Sequence, residues 1–226
     1  MFSREDFELA CKAYVSSRPA GRNDGQWTWN DYSSPYTCAV GYGYLARTTS
    51  VFASDDTLQG PAYPTVEDMK AIESSLLDVT DDESLEIDDA AAPLSTTKVP
   101  LSCHQYVVYA PGFQVPAFYF TIHNSQGSPL RVDDLVRTSL FRPSAFSATA
   151  RSSFAITPSA SSFPLLSQGD HPVLGTPCWY LHPCETATAL AEIMSEMAYD
   201  DGGSRDRRLQ RTLEAWFMLL NSIVSL

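Results

Sequence analysis

The chain is 226 residues long, enough for one sizeable domain, and its 44% hydrophobic and 12% aromatic content can fill a core. A formal charge of −12 argues against nucleic acid as a partner, because neutralising a phosphate backbone takes lysine and arginine. No apolar run approaches the length of a membrane span, which argues against stable membrane insertion, and the charged start MFSREDFE does not read as a secretory signal.

Five cysteines, at positions 11, 38, 103, 178 and 184, form an odd set without regular spacing, so reduced thiols and a cytoplasmic location are expected. Much of the negative charge is local. Asp78, Asp81, Asp82, Glu83, Glu86, Asp88 and Asp89 carry seven units, leaving about −5 for the rest of the chain.

Taken in order, the first element is an amphipathic helix. Ser3 is a candidate cap, and Phe7, Ala10, Cys11, Tyr14 and Val15 form an apolar stripe at helical spacing. The turn-rich SSRPAGRNDG ends it. Two aromatic segments follow, 26–32 and 36–47, expected to pair as antiparallel strands. Gly41 and Gly43 then either admit a bulge or allow a close approach. An exposed edge here could also dock a partner by strand addition.

Residues 48–100 read as the least globular part. A short helical pattern spans 66–77, and the acidic, alanine-rich 78–93 has too little apolar surface to offset the entropy of ordering it. Flexible loops are expected at 78–98 and at 142–169, within a single domain covering 1–226. The acidic stretch could carry its charge to a basic groove on an activating enzyme. Between the loops, 101–110 and 115–123 form the most hydrophobic strand pair, joined through Pro111 and Gly112. A short helix is expected at 135–141, capped by Asp133 and Asp134, before a serine-rich connection over 142–169.

The chemistry concentrates in HPVLGTPCWYLHPCET, residues 171–186. Cys178 to Leu181 has strand composition, and helical spacing takes over from Glu185. Cys184 therefore falls at a helix start, where unpaired N–H groups and the positive end of the dipole favour a thiolate. Pro183 stiffens the His182-Pro183-Cys184 turn. Glu185 opposes ionisation of the sulfur, and free cysteines are often buried as small hydrophobes. The chain closes with a break at 200–203 and a helix opened by Ser204, whose stripe includes Leu209, Leu213, Trp216, Phe217 and Leu220.

Three chemistries compete for this segment. Zinc has candidate ligands in His171, Cys178, His182 and Cys184, but a strand between them does not gather four side chains into a tetrahedron, so no metal is expected. A cysteine hydrolase needs a histidine base near the sulfur. His182, two residues away across a proline, is an unfavourable partner, although His104, His123 or His171 could approach in the fold. The third is group transfer through a thioester.

The segment resembles the active site of the autophagy E2-like conjugating enzymes, where a strand leads through His-Pro-Cys into a helix. Tyr106 to Phe120, YVVYAPGFQVPAFYF, resembles the paired central strands of that family, with Gln114-Val115-Pro116 at the kink. The resemblance implies an α+β fold with an E2-like core: one antiparallel sheet of about four or more strands with flanking helices. It further implies that Cys184 accepts autophagy-related protein twelve from an E1-like activating enzyme as a thioester. That cargo then passes to a lysine of autophagy-related protein five. No cofactor is implied. His182 and Cys184 are the expected catalytic residues, with Pro183 in support. A family position that is often tyrosine matches Phe113, which has no hydroxyl, so Tyr109 or Tyr119 would have to substitute. The alternatives are the sibling enzyme that conjugates a lipid, and a cysteine hydrolase.

Overall fold

A computed structural model describes residues 1–18, 25–31, 43–54, 98–197 and 204–226. Its helices are α1 (Arg4–Ser16), α2 (Val132–Leu135), α3 (Pro183–Met197) and α4 (Arg205–Leu220). The strands are β1 (Thr28–Asn30), β2 (Tyr44–Ser54), β3 (Lys98–Ala110), β4 (Val115–His123), β5 (Thr149–Arg151), β6 (Ala155–Pro158), β7 (Leu166–Asp170) and β8 (Pro177–Leu181). They form one antiparallel sheet in the order β1-β2-β3-β4-β8-β7-β6-β5. The architecture is α+β, as the order of sequence patterns predicts. The acidic stretch 78–93, the helical pattern 66–77 and most of the segment 36–47 lie outside the described residues.

Helix α1 starts where the residues say it must. The Ser3 hydroxyl accepts the Asp6 N–H at 3.0 Å and the Asp6 carboxylate accepts the Ser3 N–H at 3.2 Å, a reciprocal capping box. Phe7, Ala10, Cys11 and Tyr14 are buried. Tyr14 stacks on Phe217 of α4 with ring centroids 4.7 Å apart, so the first and last helices lie together against the sheet.

The period of two along the central strands decides what each face does. Leu45, Val51 and Ala53 of β2, Leu101, Cys103 and Val107 of β3, and Phe118, Phe120 and Ile122 of β4 are buried among the same core residues as Trp216 and Leu213 of α4. The opposite face carries Tyr44, Tyr106, Tyr119 and Tyr180, whose rings and that of His171 contact one another. Gly43 permits a close approach, but of a side chain and not of the neighbouring backbone that its spacing suggests as one alternative. A Cβ there would overlap the Trp29 indole.

Three expectations need correction. Strand β2 continues through Ser54 and pairs with β3 back to Lys98, so 48–54 and 98–100 belong to the sheet. The helix expected at 135–141 is instead one turn at Val132–Leu135, with Asp133 and Asp134 inside its first turn. It stops because a strand edge takes the chain: Ser139 donates its N–H to the Phe52 carbonyl at 2.8 Å, and its hydroxyl accepts the Phe52 N–H at 2.9 Å. The stretch 142–169, expected to be an unstructured connection, contains β5, β6 and the start of β7.

That last difference has a local cause. The three strands are too short to show a period, and the serines between them are turn residues. Ser152 accepts the Ala155 N–H at 3.0 Å, and Ser159 donates its N–H and hydroxyl to the Ala148 carbonyl at 3.0 and 2.7 Å. Ser161 bonds the Phe163 carbonyl at 3.1 Å.

Candidate active site

Strand β8 is held between β4 and β7, with Tyr180 opposite Tyr119 on one side and Ser167 on the other. Leu181, its last residue, is buried opposite Leu166, and the chain then turns through His182 directly into α3. The His182 N–H donates to the Leu165 carbonyl at 2.9 Å, tying the turn to the segment before β7. Pro183 opens the helix, where its missing N–H costs nothing, and is buried. Cys184 thus sits in the first turn of a helix of 15 residues and is partly exposed.

His182 lies closer to the sulfur than the intervening proline suggests. Its Nδ1 is 3.2 Å from Cys184 Sγ, so the expectation that these two residues make a poor pair is overturned. The extended residue before a proline and the first helical turn after it bring both side chains to the same side. The contact can be a thiol donating to the imidazole or an imidazole N–H donating to a thiolate. The His182 ring is flanked by Phe113, edge-on at 5.8 Å, and by Tyr180 at 6.0 Å. Phe113 stands in the β3–β4 turn, 38% exposed, beside Gln114, which holds a left-handed φ of 55°.

Tyr109 does not supply the hydroxyl that Phe113 lacks. It lies in the core, 5.9 Å from Phe7, and its phenol donates to the Phe2 carbonyl at 2.8 Å. Position 109 points to the helix-covered face of β3, and the buried phenol is already satisfied by the N-terminal segment. Tyr109→Phe is therefore expected to lower stability by about 1 kcal/mol and to leave chemistry at Cys184 within twofold. Urea unfolding beside an adduct assay checks both. Tyr119 stacks on Tyr180 at 5.2 Å, and burial raises its phenol to about 12.

A small cleft of about 160 Å³ opens beside the sulfur, bounded by Cys184, His182, Glu185, Pro158, Phe163 and Leu165. Phe163 is 66% exposed. Its place here was hidden in the serine-rich stretch, because only the β7–β8 pairing, with Leu166 opposite Leu181, carries residue 163 to the end of β8 where Cys184 lies.

Among the described residues, three other cysteines contrast with Cys184. Cys11, Cys103 and Cys178 are all buried, and burial raises each thiol, Cys103 to about 11 and Cys11 well above its ordinary value. Since the thiolate is the nucleophile, these three are poor ones.

His171 also goes elsewhere. Its Nδ1 accepts the N–H groups of Val173 at 3.2 Å and Leu174 at 3.1 Å, which places the proton on Nε2. That nitrogen is buried without a hydrogen-bond partner among the described residues, beside the rings of Tyr44, Tyr106 and Tyr119. Burial lowers the imidazole to about 4. The unfolded chain, titrating near 6.5, takes up this proton before the folded one does. Stability is then complete above about 6.5 and falls as pH drops toward 4, by an amount on the order of 3 kcal/mol. Urea unfolding between pH 4 and 7 should show this slope, reduced in His171→Asn.

Two comparisons bear on this geometry. The chain is similar to the ubiquitin-like-conjugating enzyme ATG10 of Dictyostelium discoideum, being 26% identical over 123 residues, which are 53% of this chain and 49% of that protein. It thus spans about half the length of the curated relative it matches. The family model described as autophagocytosis associated protein, active-site domain, matches residues 6–226, and so takes in the sheet, the His-Pro-Cys turn and both helices that follow. With that match covering nearly all of its length, the chain belongs to the autophagocytosis-associated active-site domain family.

Proposed function

We propose that this protein is an E2-like conjugating enzyme of autophagy that carries a ubiquitin-like protein on Cys184. The observation that supports it most is a partly exposed sulfur in the first turn of α3, 3.2 Å from an imidazole, beside an open cleft. In the charging step, the sulfur attacks the thioester held by an E1-like activating enzyme. A new C–S bond forms at Cys184 and the thiol of the activating enzyme leaves. In the transfer step, a neutral lysine amine attacks the carbonyl, the C–N bond forms, and the Cys184 thiolate departs while the amine loses its proton.

A thioester is already reactive, so positioning the amine and stabilising the oxyanion supply most of the acceleration. In this reading His182, with its imidazole 3.2 Å from the sulfur, takes on one of these two tasks. His182→Ala is expected to slow discharge onto lysine roughly 10- to 100-fold with little change in thermal midpoint, and discharge at the parental rate would leave His182 as a brace only. By resemblance, the cargo is autophagy-related protein twelve and the acceptor is a lysine of autophagy-related protein five. The lipid-conjugating sibling differs in its acceptor. The proposal is tested by incubating the chain with the activating enzyme, the cargo and ATP, followed by a non-reducing gel. A thiol-labile adduct supports it, and none under any cargo sinks it.

The 3.2 Å contact also favours a second reading, a cysteine hydrolase with His182 as base. Such a base is ordinarily oriented by a third polar group. Among the described residues, the His182 ring is instead flanked by Phe113 and Tyr180. Cleavage of a cargo precursor without activating enzyme or ATP would favour the hydrolase.

A further inference from the structure

A second concave surface lies away from Cys184 and shares no residue with its cleft. It is a groove of about 590 Å³ between the end of β2, the chain following α2, and β5. Three arginines, Arg137, Arg142 and Arg151, line it together with the apolar Phe52, Phe141 and Phe146. In a chain with 15 Lys and Arg against 27 Asp and Glu, this is a local inversion of sign. Arg142 is fixed in place, its Nε donating to the Asn221 carbonyl at 3.1 Å and Nη2 to the Asn221 Oδ1 at 3.0 Å. Arg151 meets Asp133 at 3.5 Å in an exposed pair of small worth. Arg137 meets no carboxylate among the described residues.

From this arrangement we infer that the groove is a docking site for an acidic peptide of a partner protein, one that places an aromatic or aliphatic side chain between carboxylates. The charge of the rim selects carboxylates, and guanidinium forks bind them in pairs. The apolar lining selects the apolar residue: Phe52 remains 43% exposed at the end of β2, whereas Phe146 is buried. The volume falls in the range of sites that enclose a side chain rather than a lone ion. Recognition runs through side chains and not by strand addition, because the Phe52 N–H and carbonyl are already bonded to Ser139. An anionic membrane is the weaker fit, since the site is a groove and, of the three phenylalanines lining it, Phe52 alone is exposed while Phe141 and Phe146 are buried.

The test is a fluorescence anisotropy titration of the full chain against a labelled acidic octapeptide holding one tryptophan and one leucine. A copy with every carboxylate replaced by its amide serves as control. Saturable binding to the acidic peptide alone, weakened at least tenfold between 50 and 300 mM salt, is expected. Arg137→Glu with Arg151→Glu should weaken it at least tenfold, and Phe52→Ala about fivefold. Arg142 is left intact because it anchors Asn221. Arg207→Glu with Arg208→Glu, which changes net charge equally on α4, should leave affinity within twofold. Equal weakening by both pairs, or no weakening by the first, overturns the inference. So does binding that appears only after deletion of Asp81 to Ala92, which would assign the groove to this chain's own acidic stretch. Co-sedimentation with phosphatidylserine vesicles that is lost in the first pair, without peptide binding, would assign it to a lipid surface and likewise overturn it.

Discussion

Cys184→Ser is expected to abolish the proposed thiol-labile adduct with a ubiquitin-like protein, and Cys178→Ser to retain it within about twofold. The two cysteines are six residues apart in one segment, yet the fold separates their chemistry. Cys178 lies inside β8, 2% exposed, and burial raises its thiol above the usual range. Cys184 follows the turn, partly exposed, with an imidazole nitrogen 3.2 Å away. A serine hydroxyl at position 184 is far less ionised near neutrality than a thiol, so the charging rate should fall by about a thousandfold or more. Whatever adduct still forms is an oxyester, resistant to reducing agent and cleaved by alkali. Cys178→Ser is expected to lower stability by about 1–3 kcal/mol, because it buries a hydroxyl, without touching Cys184. Non-reducing and reducing gels of the two variants decide the matter. Loss of the adduct in Cys178→Ser alone would move the reactive sulfur into β8.

What could be read from the residues follows the length of each pattern. The cap at Ser3, the stripe from Phe7 to Tyr14 and the hydrophobic strand pair at 101–110 and 115–123 are plain in the residues, and the fold realises all of them. Strands β5, β6 and β7 span three to five residues each, held by turn serines and by pairing to β8, and short pairs leave no periodic trace. The same limit hid part of the candidate site. Phe163 and the Leu165 carbonyl reach the His-Pro-Cys turn through sheet pairing alone. Local reasoning was also wrong about His182, since the distance across Pro183 depends on the strand-to-helix bend and not on the count of residues. The choice of Tyr109 as a substitute hydroxyl failed for a further reason. Which face of β3 a residue takes follows from alternation, but the Phe2 carbonyl that occupies the phenol comes from 107 residues away.

Trp216→Ala is expected to lower stability by about 3–5 kcal/mol, a large part of the 5–15 kcal/mol typical of a domain. Trp216 is 2% exposed on α4, packs edge-to-face on Phe217 at 5.1 Å, and with His182 and Pro183 borders a small void of about 50 Å³. The indole therefore supports the floor of the His-Pro-Cys turn as well as the core between α4 and β4. Truncation removes its contacts and leaves a cavity that Phe118, Leu181 and Leu220 cannot close without shifting the turn. Adduct formation should then fall further than the folded fraction alone accounts for, because His182 and Cys184 lose the surface that fixes their separation. Trp216→Phe fills much of the space and should recover more than half of the stability. Met218→Ala, on the same helix but 76% exposed, should shift it by no more than about 0.5 kcal/mol. Urea unfolding followed by far-ultraviolet circular dichroism, alongside charging assays at a temperature where each variant is folded, measures both effects. A fully folded Trp216→Ala variant that charges at the parental rate would show that the turn holds its shape without α4 beneath it.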